Sequence, residues 1–566
     1  MTAQSPHGVG FEAHRPVIMA RNGMVSSGHP LASQAGIALL QKGGNAIDAA
    51  IAVAAALNVV EPQMSGIGGD GYIMVYRRET GKIDVVNGTG AAPYAATRER
   101  FVDTGIPWDG ILSISVPGLL DAWLSAHERH GALKLGQVLE PAIDLAQAGF
   151  PISQHLARDI AANRLLCQFP ASQAIFAPRG RPLSAGEILY QRGLARTFER
   201  IVEEGRELFY RGEIARALVQ FSQEQGGLLS PKDLSDYRCL WQEPISIPYH
   251  GYRVYEAPPN SSGHVLLQEL GMAEALDLKA LGCNTAESIH AMVEVKKLAF
   301  ADREAYLADP DFAQVPVQGL LSDEYARGRA ALIDPHRASE EVRPGQPQAY
   351  QKGARESSRS GGYRVEENTT CFVVVDRWGN AVCQLQSLQS LFGSALVAGE
   401  TGVLLNNRMT YWHLDPDHVN CLQPGKRVRH TMNPVMVFRE RSPGEAELVL
   451  VCGTPGADTQ VQTNLQVITH VLDFGMTVAE AVEAPRWRHL QDQTESTEPR
   501  AMEDRLQLEG RFPQEVRDGL RELGHTLDIL DDWGATGSEV MIQRDPATGT
   551  LFGAADPRRD GYAIGW

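Results

Sequence analysis

Apolar and polar positions recur along this chain with two different periods, and the switches between them outline its elements. Residues 31–60 carry the helical period: LASQAGIALLQK, a break at Gly43-Gly44, then AIDAAIAVAAALNVV with Asn45 placed to cap it. This predicts a helical hairpin whose second arm is apolar all round and therefore buried. A glycine-rich loop, EPQMSGIGGDG, follows, and YIMVYRRETGKIDVVNG then reads as two strands about a turn at Thr80-Gly81. Residues 118–225 are mostly helical in pattern, 246–256 return to strand, and 264–308 give two more helices. From Ala338 to Asn368 both periods vanish. That segment is polar, nearly devoid of aliphatics and rich in Gly, Ser, Arg and Glu, so it is expected to be exposed and mobile. Beyond it come strand-like runs, CFVVVD, AVCQLQSL, HTMNPVMVF, ELVLVCG and SEVMIQR, with helices at 459–473 and 476–485. Strands and helices intermixed on both sides of the polar segment predict one layered unit of α and β structure.

Composition narrows the function classes. With 566 residues, 43% of them hydrophobic, the chain can bury a large core. Its 52 basic and 69 acidic residues leave a formal charge of −17, which repels phosphate backbones and anionic membranes. Neither nucleic acid nor membrane is expected as a partner. The apolar run 46–60 is too short to span a bilayer. No charged start leads into an apolar run at the N-terminus, and the seven cysteines are scattered without a CxxC pair. Reduced thiols in a cytoplasm are expected, with no metal and no cofactor.

Familiar motifs mostly fail on context. GIGGDG (66–71) has dinucleotide-loop spacing, but a helix precedes it and strands follow, the reverse of what that fingerprint requires. A tight, backbone-exposing loop is the better reading. HERH (127–130) spaces its histidines at i and i+3, where a zinc-binding helix face needs i+4, so it reads as a solvated helix end. No nucleophile elbow or phosphate loop is present. What remains is NTTCFVVVDRWGN (368–380), two hydroxyl residues opening an apolar strand after the polar segment. Threonine becomes a competent nucleophile when cleavage makes it a chain terminus, because its own α-amino group, titrating near neutrality, then acts as base. Taken alone, the pair also suits an ordinary strand start, where β-branched residues are common.

The surrounding blocks decide between these readings. SSGHPLAS (26–33), GGNAIDAAIA (43–52), VVEPQMSGIGGDGY (59–72), PPNSSGHVLLQ (258–268), KKLAFADREAYLADPDF (296–312), VAGETGVLLNN (397–407), GTPGAD (453–458) and GAADPRRDGYAIGW (553–566) occur in order along the chain. Together with TTCFVVVD they resemble the γ-glutamyltransferase family of N-terminal-nucleophile hydrolases. The resemblance implies an α+β fold of four layers, αββα, built as one domain over 1–566. It implies a precursor that cuts itself between Asn368 and Thr369 into a 1–368 large subunit and a 369–566 small subunit, a heterodimer of its own fragments. Thr369 would then form an acyl-enzyme with a small-molecule amide, resolved by water or an amine acceptor.

Further roles follow from the same resemblance. Gly456 and Ala457 match the glycine pair whose N–H groups form the oxyanion hole, Ser387 a supporting threonine hydroxyl, and Arg98 the arginine that grips a substrate carboxylate, with Arg100 its near alternative. Other positions depart from the family. Thr89-Gly90 replaces an Arg-Glu pair, His430-Thr431 consecutive serines, Gln389 an asparagine, Cys371 a histidine, and Tyr411 the acid that meets a γ-glutamyl ammonium. An amino-acid head group would be left unpaired by that last change. The pattern is similar to the subgroup holding oxamate amidohydrolase and glutaryl-cephalosporin acylase relatives, with Arg408 and His430 lining a pocket for an acyl group with a distal carboxylate. The expected substrate is a small amide other than a standard γ-glutamyl amide. The alternatives are a glutathione-type hydrolase and an uncut binding protein.

Overall fold

Every residue of the helix Ala46–Val60 is buried, as an all-round apolar sequence requires. Its start is held by a reciprocal cap: the Asn45 side chain accepts from the N–H groups of Ile47 and Asp48, and Asp48 accepts from the Asn45 N–H. A cap of this kind is worth about 1 kcal/mol. The helix packs beside Pro30–Gln41, completing the predicted hairpin. The computed structural model describes residues 13–350, 368–442, 445–490 and 504–566.

These helices lie on one of two seven-stranded antiparallel sheets. The first runs, edge to edge, Tyr562–Gly565, Gly23–Ser27, Asn368–Asp376, Ala381–Gln389, Asp70–Arg77, Lys82–Asn87, Leu240–Gln242. The second runs Ile18–Ala20, Leu551–Ala555, Val540–Arg544, Glu445–Gly453, Val435–Ser442, Tyr252–Glu256, Ile245–Tyr249. Its outer face carries Gly263–Ala275, Ala286–Tyr306 and Thr459–Leu472. The four αββα layers are therefore present, and the period-two alternation of each strand assigns every side chain to a layer. Cys371, Val373 and Val375 join the core between the sheets, whereas Phe372 and Val374 join the core beneath the Ala46–Val60 helix. By the same parity Thr369 faces the inter-sheet space and Thr370 the helical layer.

Residues before and after Asn368 contribute strands to both sheets. A cut there would leave two pieces interleaved through both sheets.

Two local expectations need correction, and the fold adds one observation beyond them. The polar segment was expected to be mobile from residue 338, yet residues 338–350 dock on the protein. Ala338 N–H donates to the Leu523 carbonyl, Gly345 N–H to Asp302, and Tyr306 hydroxyl to the Gly345 carbonyl. Backbone hydrogen bonds and the buried Pro347, invisible to an aliphatic count, hold it. The remainder of that segment, 351–367, lies outside the described residues. HERH is only partly a solvated helix end: Glu128 and Arg129 are exposed, but the His130 side chain is buried against Trp241, 3.4 Å from Asp84. Finally, the sequence offered no metal-ligand spacing, but the fold brings together His290, Glu294 and His525, and separately Glu304, His413 and His418. In the second group His418 Nδ1 accepts the Asn420 N–H, so its neutral ring carries the proton on Nε2, the nitrogen facing Glu304. Among the described residues no helix is long and apolar enough to cross a membrane.

Candidate active site

At one end of the inter-sheet space the central hairpin, Asn368–Asp376 with Ala381–Gln389, loses its regular register. Asn368 pairs with Gln389 and Thr370 with Gln386, so Thr369 alone opposes both Ser387 and Leu388. This is a β-bulge in the Ala381–Gln389 strand, which bends there and interrupts the ladder beside Thr369. Thr369 and Ser387 thus sit side by side, both buried and both on the inter-sheet face. The strand then kinks: Gln389 adopts φ +89, and its N–H donates to Ser387 Oγ at 2.7 Å. Its side-chain oxygen takes the Ser390 hydroxyl, while its Nε2 has no partner among the described residues.

The glycines of GIGGDG explain how this end is closed. A Cβ on Gly69 would lie 2.1 Å from the Ser387 carbonyl oxygen, and one on Gly68 2.2 Å from that of Leu404. Only glycine admits that approach. The loop is the close-packed backbone element expected of it, and it delivers a residue that the sequence reading passed over, Asp70. Asp70 pairs with Ser387 across the sheet and faces the same space.

Around Asp70 the structure gathers two of the predicted substrate residues. Arg408 grips it with a bidentate fork, Nε to Oδ2 and Nη2 to Oδ1, both 3.0 Å. His430 Nδ1 accepts the Met432 N–H, which puts the ring proton on Nε2, 3.1 Å from the same carboxylate. Burial pushes the Asp70 carboxyl up, but Arg408 and His430 outweigh it and hold the group below its ordinary range. Burial and the Arg408 charge lower His430, so it stays neutral. Arg408 and His430 therefore converge as expected, but the carboxylate between them belongs to this chain. Register, which sequence spacing cannot reveal, put it there.

The remaining predicted residues occupy the walls. Tyr411 is buried in a small apolar cluster with Phe101, Trp412 and Val428, its ring 5.4 Å from the Arg408 guanidinium carbon. Arg98 reaches the same region and donates to the Leu414 carbonyl at 2.6 Å; Arg100 is exposed. Of those two arginines it is Arg98 that turns inward. Thr431 is buried beside His430. Thr89 enters a network in which Asn260 accepts from Tyr72 and Asn87 and donates to the Thr89 hydroxyl. Cys371 faces the inter-sheet core below Thr369, its thiol pushed well up by burial and by Cys383, hence inert.

Gly456 and Ala457 lie in the turn between the strand Glu445–Gly453 and the helix Thr459–Leu472. Both have left-handed φ, +120 and +50, so successive N–H groups turn outward ahead of a helix N-terminus. Neither N–H donates to another group among the described residues. Two donors at the positive end of a helix form a site for a developing oxyanion. Ser538 N–H holds Thr454 on one side of the turn, and Arg303 pairs with Asp458 at 2.6 Å on the other.

Comparison with known proteins identifies the family and the fold. The family model described as Gamma-glutamyltranspeptidase matches residues 32–566. The chain is 38% identical over 545 residues to the Glutathione hydrolase-like YwrD proenzyme of Bacillus subtilis (strain 168), covering 96% of this chain and 98% of the relative. It is 36% identical over 574 residues to the Acylase ACY 1 proenzyme of Pseudomonas sp. (strain V22), covering 99% and 96%. Among solved structures, cephalosporin acylase from Bacillus halodurans superposes with a TM-score of 0.86 at 35% identity, covering 100% of this chain and 99% of that one.

Proposed function

The chain belongs to the gamma-glutamyltranspeptidase family, and from that premise we propose a self-processing amidohydrolase that uses Thr369 as nucleophile on a small amide other than a standard γ-glutamyl amide. One observation carries the reading: strand alternation turns the buried Thr369 to the inter-sheet face, the face shared by Ser387 and the Asp70, Arg408 and His430 cluster. In processing, Thr369 Oγ attacks the Asn368 carbonyl carbon, the peptide C–N bond breaks and the proton passes to the new amine. Water then opens the ester, freeing the Asn368 carboxyl and restoring the Thr369 hydroxyl. The freed α-amino group next serves as base while Thr369 attacks the substrate carbonyl, whose oxyanion the Gly456 and Ala457 N–H groups receive. Water or an amine resolves the acyl-enzyme.

One feature favours a substrate without the glutamyl head group. Tyr411 stands where the family resemblance places an acid, so an α-ammonium group would meet a phenol ring instead of a counter-charge. The names of relatives span glutathione hydrolase and acylase, and the acylase side suits this site.

Intact-mass spectrometry tests the assignment. Wild type is expected as two fragments, the second beginning at Thr369, and Thr369→Ala as one uncut chain. Processed enzyme should then release p-nitroaniline from a glutaryl anilide faster than from the γ-glutamyl anilide. An uncut wild type would end the proposal, and preference for the γ-glutamyl compound would end its substrate half.

A further inference from the structure

Thr370 points away from the site, into the helical layer, and its hydroxyl donates to the Glu61 carboxyl, Oγ1 to Oε2 at 2.7 Å. Glu61 is an improbable occupant of that position. It closes the C-terminus of the helix Ala46–Val60, where the dipole repels an anion, and it is buried below an apolar helix. The backbone is shaped around it: a Cβ on Gly28 would lie 2.6 and 2.8 Å from its two carboxyl oxygens. Its bonding partner is the residue immediately after the proposed nucleophile, where the register shifts beside the Asn368–Thr369 bond.

We propose that Glu61 is the positioning residue for self-cleavage: by holding the Thr370 hydroxyl on one face of the sheet, it fixes the orientation of Thr369 on the other. This rests on Thr369 being the nucleophile. Successive residues of a strand point to opposite faces, so pinning Thr370 sets the rotation of the backbone that carries the Thr369 Oγ toward the Asn368 carbonyl. Glu61 touches no reacting atom. Bond making and breaking remain those of the N-to-O shift described above.

The arrangement should also make cleavage depend on pH. Burial raises the Glu61 carboxyl to about 7, opposed by the Thr370 hydrogen bond and the Arg559 charge and reinforced by Asp560 and Asp159. His29, next to Gly28, is lowered to about 4 by burial and stays neutral near pH 7. As pH rises through 7, Glu61 becomes the anion that accepts from Thr370 most strongly.

Freshly synthesised protein, followed by intact mass across this range, provides the test. The wild-type cleavage rate is expected to rise through about pH 7. Glu61→Gln keeps an acceptor but cannot titrate, so its rate should be flat with pH. Glu61→Leu and Thr370→Val should each slow cleavage about tenfold through loss of one charge-assisted hydrogen bond, and Thr370→Ser should restore it. Leu and Val variants cutting at the wild-type rate would overturn the proposal, as would a Gln variant that keeps the inflection. If Glu61→Leu fails to fold by circular dichroism, the Thr370 pair decides. A wild type that never cuts defeats the Thr369 reading itself, whereas a cutting wild type with unaffected variants defeats only the role of Glu61.

Discussion

Asp70 and Glu61 are both buried carboxyl groups at the nucleophile end of the same sheet, one on each face, and their environments drive them in opposite directions. Asp70 faces the inter-sheet space, where a bidentate arginine and a histidine N–H overcome burial and keep it ionised. Glu61 faces the helical layer, where it meets a hydroxyl and a more distant Arg559 charge, and burial prevails. Directed hydrogen bonds from one cation and an imidazole N–H, not depth of burial, separate the two. The contrast matters because the Asp70 side needs a fixed charge to orient Arg408 and His430, while a group that titrates near neutrality suits a residue proposed to govern a single cleavage event.

Removing Asp70 should produce the largest effect. Asp70→Ala leaves a buried Arg408 unpaired and the His430 proton without an acceptor, at a cost of about 3–5 kcal/mol in urea unfolding. The paired change Asp70→Leu with Arg408→Met should recover most of that loss, since no uncompensated charge remains. A cost below about 1 kcal/mol for Asp70→Ala would break the comparison.

Glu61 should show the opposite sign. Its carboxyl is raised from 4.5 to about 7 in the folded protein, so its contribution to stability is full below 4.5 and is lost as pH rises through 7. At about 1.4 kcal/mol per pH unit, that loss is roughly 3 kcal/mol. Glu61→Gln should therefore be more stable than wild type at pH 8 by up to that amount, with the advantage vanishing near pH 4 in thermal unfolding. A constant difference across pH would show that Glu61 does not titrate there.

The smallest effect is expected in the oxyanion turn. Ala457 holds φ +50, a strained conformation for a residue with a Cβ. Ala457→Gly should stabilise by about 1 kcal/mol or less, the relieved strain being offset by greater freedom of the unfolded chain. Turnover should change little, because the N–H group is retained.

Much of this site was legible before the fold was known. The order of blocks and the strand opening at Thr369 carried the family and the four layers, and named Gly456, Ala457, Arg98, Arg408 and His430 as candidates. Asp70 sits within the glycine-rich GIGGDG loop with no spacing that marks it, and only strand register shows that it lies opposite Ser387. Glu61 offered a better signal, an acid closing a buried helix of fifteen residues in which only Asp48 and Asn58 are polar. Its meaning still required knowing that Thr370 points back toward that helix.

The sequence by itself determined which segments become helices and strands and which residue types carry the chemistry, since periodicity, caps and glycines act over a few neighbours. Only the tertiary structure decided which charges neutralise one another. Asp70 and Arg408 lie 338 positions apart, and Glu61 and Thr370 309. Whether a carboxyl at such a distance finds a guanidinium fork or a hydroxyl depends on register and burial, and neither is written in local sequence.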